Sequence, residues 1–232
     1  SKLKGTAQPQ IEAEIYGFLG WIAMRRGDLP GAQAILEQAL HLVNDTPHYD
    51  VLSSILNRLG GVYYSQGDWE RATQMVQRAL SIREKVGDIL GVARSSNNLG
   101  ILKRNSGDWK SALANYQHGL EILEEIGDTE GMAIAHTNIG NVYIEMGEWE
   151  QAEANLQQSF NIAQKIANPY EIAQAHLNLG RLYLAQTRLT EAQQHLDAAI
   201  ILYKQAGARA NPGLIDAYSV QGFLSLELGQ VE

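Results

Sequence analysis

Asparagine recurs at one place in this chain at a spacing of 40 residues: Asn98, Asn138 and Asn178, each followed by Leu-Gly or Ile-Gly. Arg58 fills the same slot one interval earlier, before Leu59-Gly60. A carboxamide carries a donor and an acceptor, so it can match the N–H and C=O of a peptide unit regardless of that peptide's sequence. Asn is also a poor helix-interior residue, because its amide competes for backbone hydrogen bonds. Three copies at one internal helical position therefore need a reason beyond helix formation. Two readings stand at this point: gripping the main chain of a ligand, or hydrogen bonding between adjacent helices to stabilise the array.

The other chemistry-bearing residues have simpler explanations. His136 and His176 also lie 40 apart. Neighbouring helix axes pack about 8–10 Å apart, too far for equivalent side chains to share one metal. Tyr16 and Tyr218 hold the same position elsewhere, which points to packing. Trp69, Trp109 and Trp149 recur at the same period and read as packing against the preceding helix rather than as base-stacking platforms. Glu124-Glu125 and the Glu148/Glu150 pair read as solvated carboxylates. The sequence holds no His-Glu-x-x-His, Gly-x-Ser-x-Gly or phosphate-loop signature, and no visible set of nucleophile, base and oxyanion donor. A non-catalytic protein with no metal and no cofactor is expected.

What must position these residues is legible in the period itself. Glycines stand at 20, 60, 100, 140 and 180, and the register returns two residues late at Gly222. A fixed period of this size is the mark of stacked supersecondary units. In the unit around Gly100, Val92, Leu99 and Leu102 give a first helix its apolar positions, with Gly100 placed where a neighbouring backbone must come close. Gly107-Asp108 then stops that helix and caps the next. Trp109, Ala112, Leu113, Tyr116, Leu120 and Leu123 give the second helix an apolar stripe, and Gly127-Asp128 closes the cycle.

Leu-Gly, an aromatic such as Tyr63, Tyr143 or Tyr183, then Gly, an aromatic, Ala, a large apolar residue and Ala: this order resembles the tetratricopeptide repeat. The match is strongest in repeats two to four and extends over nearly the whole chain. The unit is longer than the usual repeat of about 34 residues and lacks the usual proline after the second helix. Its lengthened helices and Gly87-Asp88-Ile89-Leu90-Gly91 junction are similar to the repeat arrays of bacterial STAND-type signalling ATPases and transcription activators. The resemblance implies an all-α, right-handed superhelical solenoid of about five and a half helix–turn–helix repeats. It also implies that the Asn slot faces a concave groove and holds an extended peptide.

Helical geometry then gives the neighbours of that slot, four residues before it and three or seven after. They are Ser54 in repeat two; Arg94, Ile101 and Asn105 in repeat three; Ile134, Asn141 and Glu145 in repeat four; Gln174 and Arg181 in repeat five. The expected groove is therefore Arg58, Arg94, Asn98, Asn105, Asn138, Asn141, Gln174, Asn178 and Arg181. Three arginines make this face more basic than the whole, and a guanidinium forks onto carboxylates. The expected partner is a peptide, protein segment or small ligand, and a free carboxylate or acidic group would suit it.

Composition narrows the class. A net charge of −8 argues against a nucleic-acid surface. The chain has no cysteine, hence no disulfide framework or thiol chemistry. No apolar run reaches the roughly 18 residues of a membrane span, and residues 1–10 lack a signal segment. A cytoplasmic protein without membrane contact is expected. Residues 1–10 read as a linker or a non-native scar, followed by one solenoid domain over 11–232. The repeats fall at 11–47, 48–87, 88–127, 128–167 and 168–207, with a partial sixth at 208–232. Asn168-Pro169 and Thr187-Arg188 replace the regular Gly-Asp junctions, and a two-residue insertion lies between Ala206 and Gly213. The absent initiating Met and half-finished sixth repeat read as a fragment of a longer chain. The competing function is a structural scaffold that self-associates through the uncovered face of its last helix, at Phe223, Leu224, Leu226 and Leu228.

Overall fold

The computed structural model describes residues 2–206 and 212–229, with side chains from residue 9 onward. Among these residues are eleven helices and no strand: α1 Lys2–Arg25, α2 Leu29–Val43, α3 Tyr49–Ser65, α4 Trp69–Val86, α5 Ile89–Asn105, α6 Trp109–Ile126, α7 Thr129–Met146, α8 Trp149–Ile166, α9 Pro169–Ala185, α10 Leu189–Gln205 and α11 Pro212–Glu227. Residues 2–10, expected as a linker, are helical and belong to α1, which runs through Pro9. The insertion expected between Ala206 and Gly213 falls largely on 207–211, outside the described residues.

The turns have the chemistry the sequence indicates. Gly27, Gly67, Gly87, Gly107, Gly127 and Gly147 all take the left-handed conformation, with φ between 71° and 82°. The aspartates that follow cap the next helix: Asp28, Asp68, Asp88 and Asp128 each accept the N–H three residues on. The irregular junctions differ in kind. Ala167 and Thr187 occupy the left-handed position without being glycine, each at φ 58°. Arg188 and Glu148 precede α10 and α8 without any side-chain cap bond.

Two compact units divide within α6, at residues 1–122 and 123–232. In the first, α1 pairs with α2 and α3 with α4, α2 and α4 pack on the following α3 and α5, and α1 touches α3 directly. Its core includes Leu36, Leu56, Leu59, Val62, Val76 and Leu99. In the second, α7 pairs with α8 and α9 with α10, and α9 also meets α7 and α11. Its core includes Leu156, Leu177, Leu179, Leu196, Tyr203 and Leu224.

The periodic glycines explain the tight pairing, though by a different contact from the backbone approach expected of Gly100. Each faces the large residue 16 positions later on the partner helix. A Cβ at Gly20, Gly60, Gly100, Gly140 or Gly180 would lie 2.5–2.9 Å from Leu36, Val76, Tyr116, Leu156 or Leu196 respectively. The notch is thus filled chiefly by a side chain, which explains why the knob varies while the glycine does not. At Gly222 a Cβ would meet nothing within 4 Å.

Two further expectations are corrected. Trp69, Trp109 and Trp149 are 46%, 38% and 39% exposed. They occupy the first helical position after the cap, beyond the buried seam. Phe223 and Leu226 of α11 and Leu228 just after it are exposed as expected, whereas Leu224 is fully buried in the core of the second unit.

Candidate functional site

The first unit brings α1, α3 and α5 together around a pocket of about 290 Å³. Trp21 and Met24 line it from α1, Asn57, Arg58, Gly61 and Tyr64 from α3, and Asn98 and Ile101 from α5. Two first-helix hydrogen bonds tie α3 to α5 here. Asn98 Nδ2 donates to Asn57 Oδ1 at 2.9 Å, and Asn105 Nδ2 donates to the Tyr64 hydroxyl at 2.9 Å. Both pairs are separated by 41 residues rather than 40.

The Asn57–Asn98 pair uses only half of each amide. Asn57 Nδ2 and Asn98 Oδ1 have no hydrogen-bond partner among the described residues, so a donor and an acceptor remain beside the pocket. A peptide unit needs that combination. Arg58 is half-buried next to them, and no carboxylate lies within ion-pair distance of it among the described residues. Burial alone pulls its pKa below the usual arginine value, because the charged form has lost water without gaining a counter-charge. Arg94, one turn before Asn98, is exposed.

The equivalent residues of the second unit are disposed differently. Asn178 is only 2% exposed, and its Nδ2 is buried without a partner, so it does not face a groove as expected. The Arg181 guanidinium is engaged by Asp216 of α11. Gln174 Oε1 accepts the Tyr203 hydroxyl at 2.8 Å. Each of these three expected groove residues is thereby committed to packing within its own unit. Asn138 and Asn141 are partly buried on α7, where Ile134 is 48% exposed.

The histidines make local contacts. His136 Nδ1 lies 3.1 Å from Asn155 Oδ1, and His176 Nδ1 lies 3.0 Å from His195 Nδ1. Burial, then the neighbouring His195, lowers the pKa of His176 to about 4. Among the described residues no three potential metal ligands cluster, and no helix is long and apolar enough to cross a membrane.

Sequence reasoning missed Asn57, Trp21, Met24 and Tyr64. The signal for Asn57 was present: hydrogen bonds between successive first helices join positions 41 apart, whereas the repeat register is 40.

A family model described as the MalT-like TPR region matches residues 13–230. Comparison with curated protein sequences gives no match. Among solved structures, the chain resembles BtubC from P. vanneervenii, with 20% identity, a TM-score of 0.72, and coverage of 90% of this chain and 92% of that one. It resembles a Signal Transduction ATPase with Numerous Domains protein with a tetratricopeptide repeat sensor from Pyrococcus horikoshii, at 18% identity and a TM-score of 0.75, over 95% of this chain and 34% of the other. Aspartyl phosphate phosphatase F from Bacillus subtilis gives 14% identity, a TM-score of 0.73, and coverage of 96% and 61%.

Proposed function

Because the chain belongs to the family of MalT-like TPR regions, we propose that it is a non-catalytic recognition module that takes a peptide, protein segment or small ligand in the groove between its first helices. The proposal extends to its setting: the sensor part of a larger signalling protein in the cytoplasm. The solved neighbour with a tetratricopeptide repeat sensor supports that setting. The observation that carries the reading is the half-used amide pair of Asn57 and Asn98 beside the unpaired Arg58, on the pocket wall of the first unit. Arg94 and Asn105 flank it on α5, and Asn138 and Asn141 are the corresponding groove positions on α7.

A displayed library of random ten-residue peptides, panned against the wild-type chain, tests this. Recovered peptides should lose about ten-fold or more in affinity for Asn98→Ala, since one or two hydrogen bonds of about 0.5–1.5 kcal/mol each are removed. The melting temperature should change little, because Ala is the better helix former and offsets the lost Asn57 bond. Peptides that bind Asn98→Ala and Arg58→Gln as well as wild type would place recognition elsewhere. A scaffold would instead show concentration-dependent size in sedimentation and no enriched peptide.

A further inference from the structure

We infer that this chain pairs with a second copy of itself through the outer face of α11, the two α11 helices running antiparallel about a twofold axis. The pairing goes beyond the recognition reading above and is independent of it, because the residues that carry that reading lie in the first unit and α11 lies in the second.

One side of α11 is spoken for: Gly213, Ala217, Val220 and Leu224 are buried. The other side shows Ile215, Tyr218, Phe223 and Leu226, between 44% and 65% exposed, with Ser219 and Gly222 among them. Spacings of three and four place these six residues on one helix face, and none is charged. The rest of the second unit indicates what such a face does. Ile215, Ser219, Gly222 and Leu226 stand 42 residues after Ala173, Leu177, Gly180 and Leu184. In α9 those earlier positions form the seam with α10: Ala173 and Leu177 are fully buried, Leu184 packs on the core, and Gly180 faces Leu196. Five such glycine notches are filled by a side chain of a neighbouring helix, whereas a Cβ at Gly222 would meet nothing within 4 Å. On α11 the seam is present and its cover is missing.

The order of residues along the face selects a second copy as the cover. Ile215, Tyr218, Ser219, Gly222, Phe223 and Leu226 run large, large, small, small, large, large, which reads the same in reverse. A twofold contact requires such a patch, because one surface must complement itself. With the axis level with Val220 and Gln221, Ile215 meets Leu226 of the other copy, Tyr218 meets Phe223, and Ser219 meets Gly222. The small central pair lets the helix axes approach toward the short end of the usual range of about 8–10 Å. Charges at the rim agree with this register. The Lys204 ammonium lies over the Tyr218 ring, 5.5 Å from its centroid, and the pairing brings Glu227 of the other copy within about a turn of that ring. Asp216 is already engaged by Arg181. One face of a 16-residue helix is smaller than the roughly 800 Å² that each partner buries in a standard interface, so the association is weak and reversible.

Sedimentation of the wild-type chain from about 10 μM to about 1 mM should pass from monomer toward dimer and stop there. A chain that stays monomeric throughout would overturn the pairing and leave the groove reading intact. Growth beyond the dimer would overturn the twofold axis in favour of a head-to-tail contact, for which the exposed Ile11, Ile15 and Leu19 of α1 are available. The native sequence has no cysteine, so introduced thiols report the register. Ile215→Cys and Leu226→Cys chains, mixed in equal amounts under mild oxidation, should give a disulfide-linked dimer. Each alone should give at least ten-fold less, since its two copies would lie eleven helical residues apart, about 16 Å, against the roughly 7 Å that a disulfide spans between Cα atoms. Cross-linking as efficient in the single variants as in the mixture, or none in any, would overturn the antiparallel register. Phe223→Glu combined with Leu226→Glu should hold the chain monomeric at about 1 mM with its melting temperature unchanged, because both side chains are exposed. A dimer that persists in this variant would place the contact elsewhere.

Discussion

Two adjacent glycines of α3 should respond oppositely to the same substitution. Ala is favoured over Gly in a helix interior by about 0.8–1.0 kcal/mol, from backbone entropy alone. At Gly61 the new methyl would meet only Met24 Sδ, at 3.8 Å, an ordinary contact. Gly61→Ala should therefore raise stability by about 0.5–1 kcal/mol. At Gly60 the methyl would lie 2.6 Å from Val76 Cγ2 and 3.3 Å from the Ala72 carbonyl oxygen. Val76 is β-branched and only 2% exposed, so it cannot swing aside. Overpacking of this kind costs about 1–3 kcal/mol, which exceeds the propensity gain and leaves a net loss of up to about 2 kcal/mol. Urea denaturation followed by helical circular dichroism reads both variants, and amide exchange in α3 and α4 localises the change. Val76→Ala removes the obstructing methyl, so Gly60→Ala combined with Val76→Ala should be less destabilising than the sum of the two, by about 1 kcal/mol. Equal signs at 60 and 61, or strict additivity of the pair, would refute the notch-and-knob account.

Further outcomes follow from other contacts. His176 is held neutral by burial, with its pKa at about 4 against an ordinary 6.5. Between those values the unfolded chain binds the extra proton, so stability should fall as pH drops from about 6.5 to 4 and be untouched above. His176→Tyr, the residue found at the equivalent Tyr16 and Tyr218, should flatten that slope in thermal melts against pH. Arg83 is buried and donates to the Gly91 carbonyl at 3.1 Å and Ser95 Oγ at 2.7 Å. Arg83→Ala should cost about 1–3 kcal/mol through those orphaned acceptors, seen as a lowered urea midpoint. Glu148 makes no cap bond, so Glu148→Asp should supply the one made at Asp128 and gain about 0.5–1 kcal/mol in the same assay.

The helices and their junctions were legible because each rests on local chemistry that the period repeats. Glycine in the left-handed turn, aspartate at the cap and alanine at the seam need only a few neighbouring residues to be read. The site was legible in part. Arg58 and Asn98, which line the pocket, were marked by their repeating slot, but repetition also drew in Asn178, Gln174 and Arg181. Whether a repeated position stays open depends on what faces it: Tyr203 and Asp216, contributed by later helices, engage Gln174 and Arg181. Asn57 was missed because bonds between first helices run one residue out of step with the repeat. Trp21 and Met24 carry no repeating signal at all, and only their packing on α3 makes them pocket walls.

The glycine notch and its knob lie 16 residues apart, so the tightest contact in each pair is closed inside a single unit of 40. A genetic duplication or deletion that shifts the chain by one whole period carries notch and knob along together, and neither is left without its counterpart. Array length can therefore drift in steps of one unit, while a change of another size that falls between notch and knob would tear a pair apart. The Asn57–Asn98 bond has no such insulation, since it bridges from one repeat to the next, and a step that falls between its two repeats would give each amide a new neighbour.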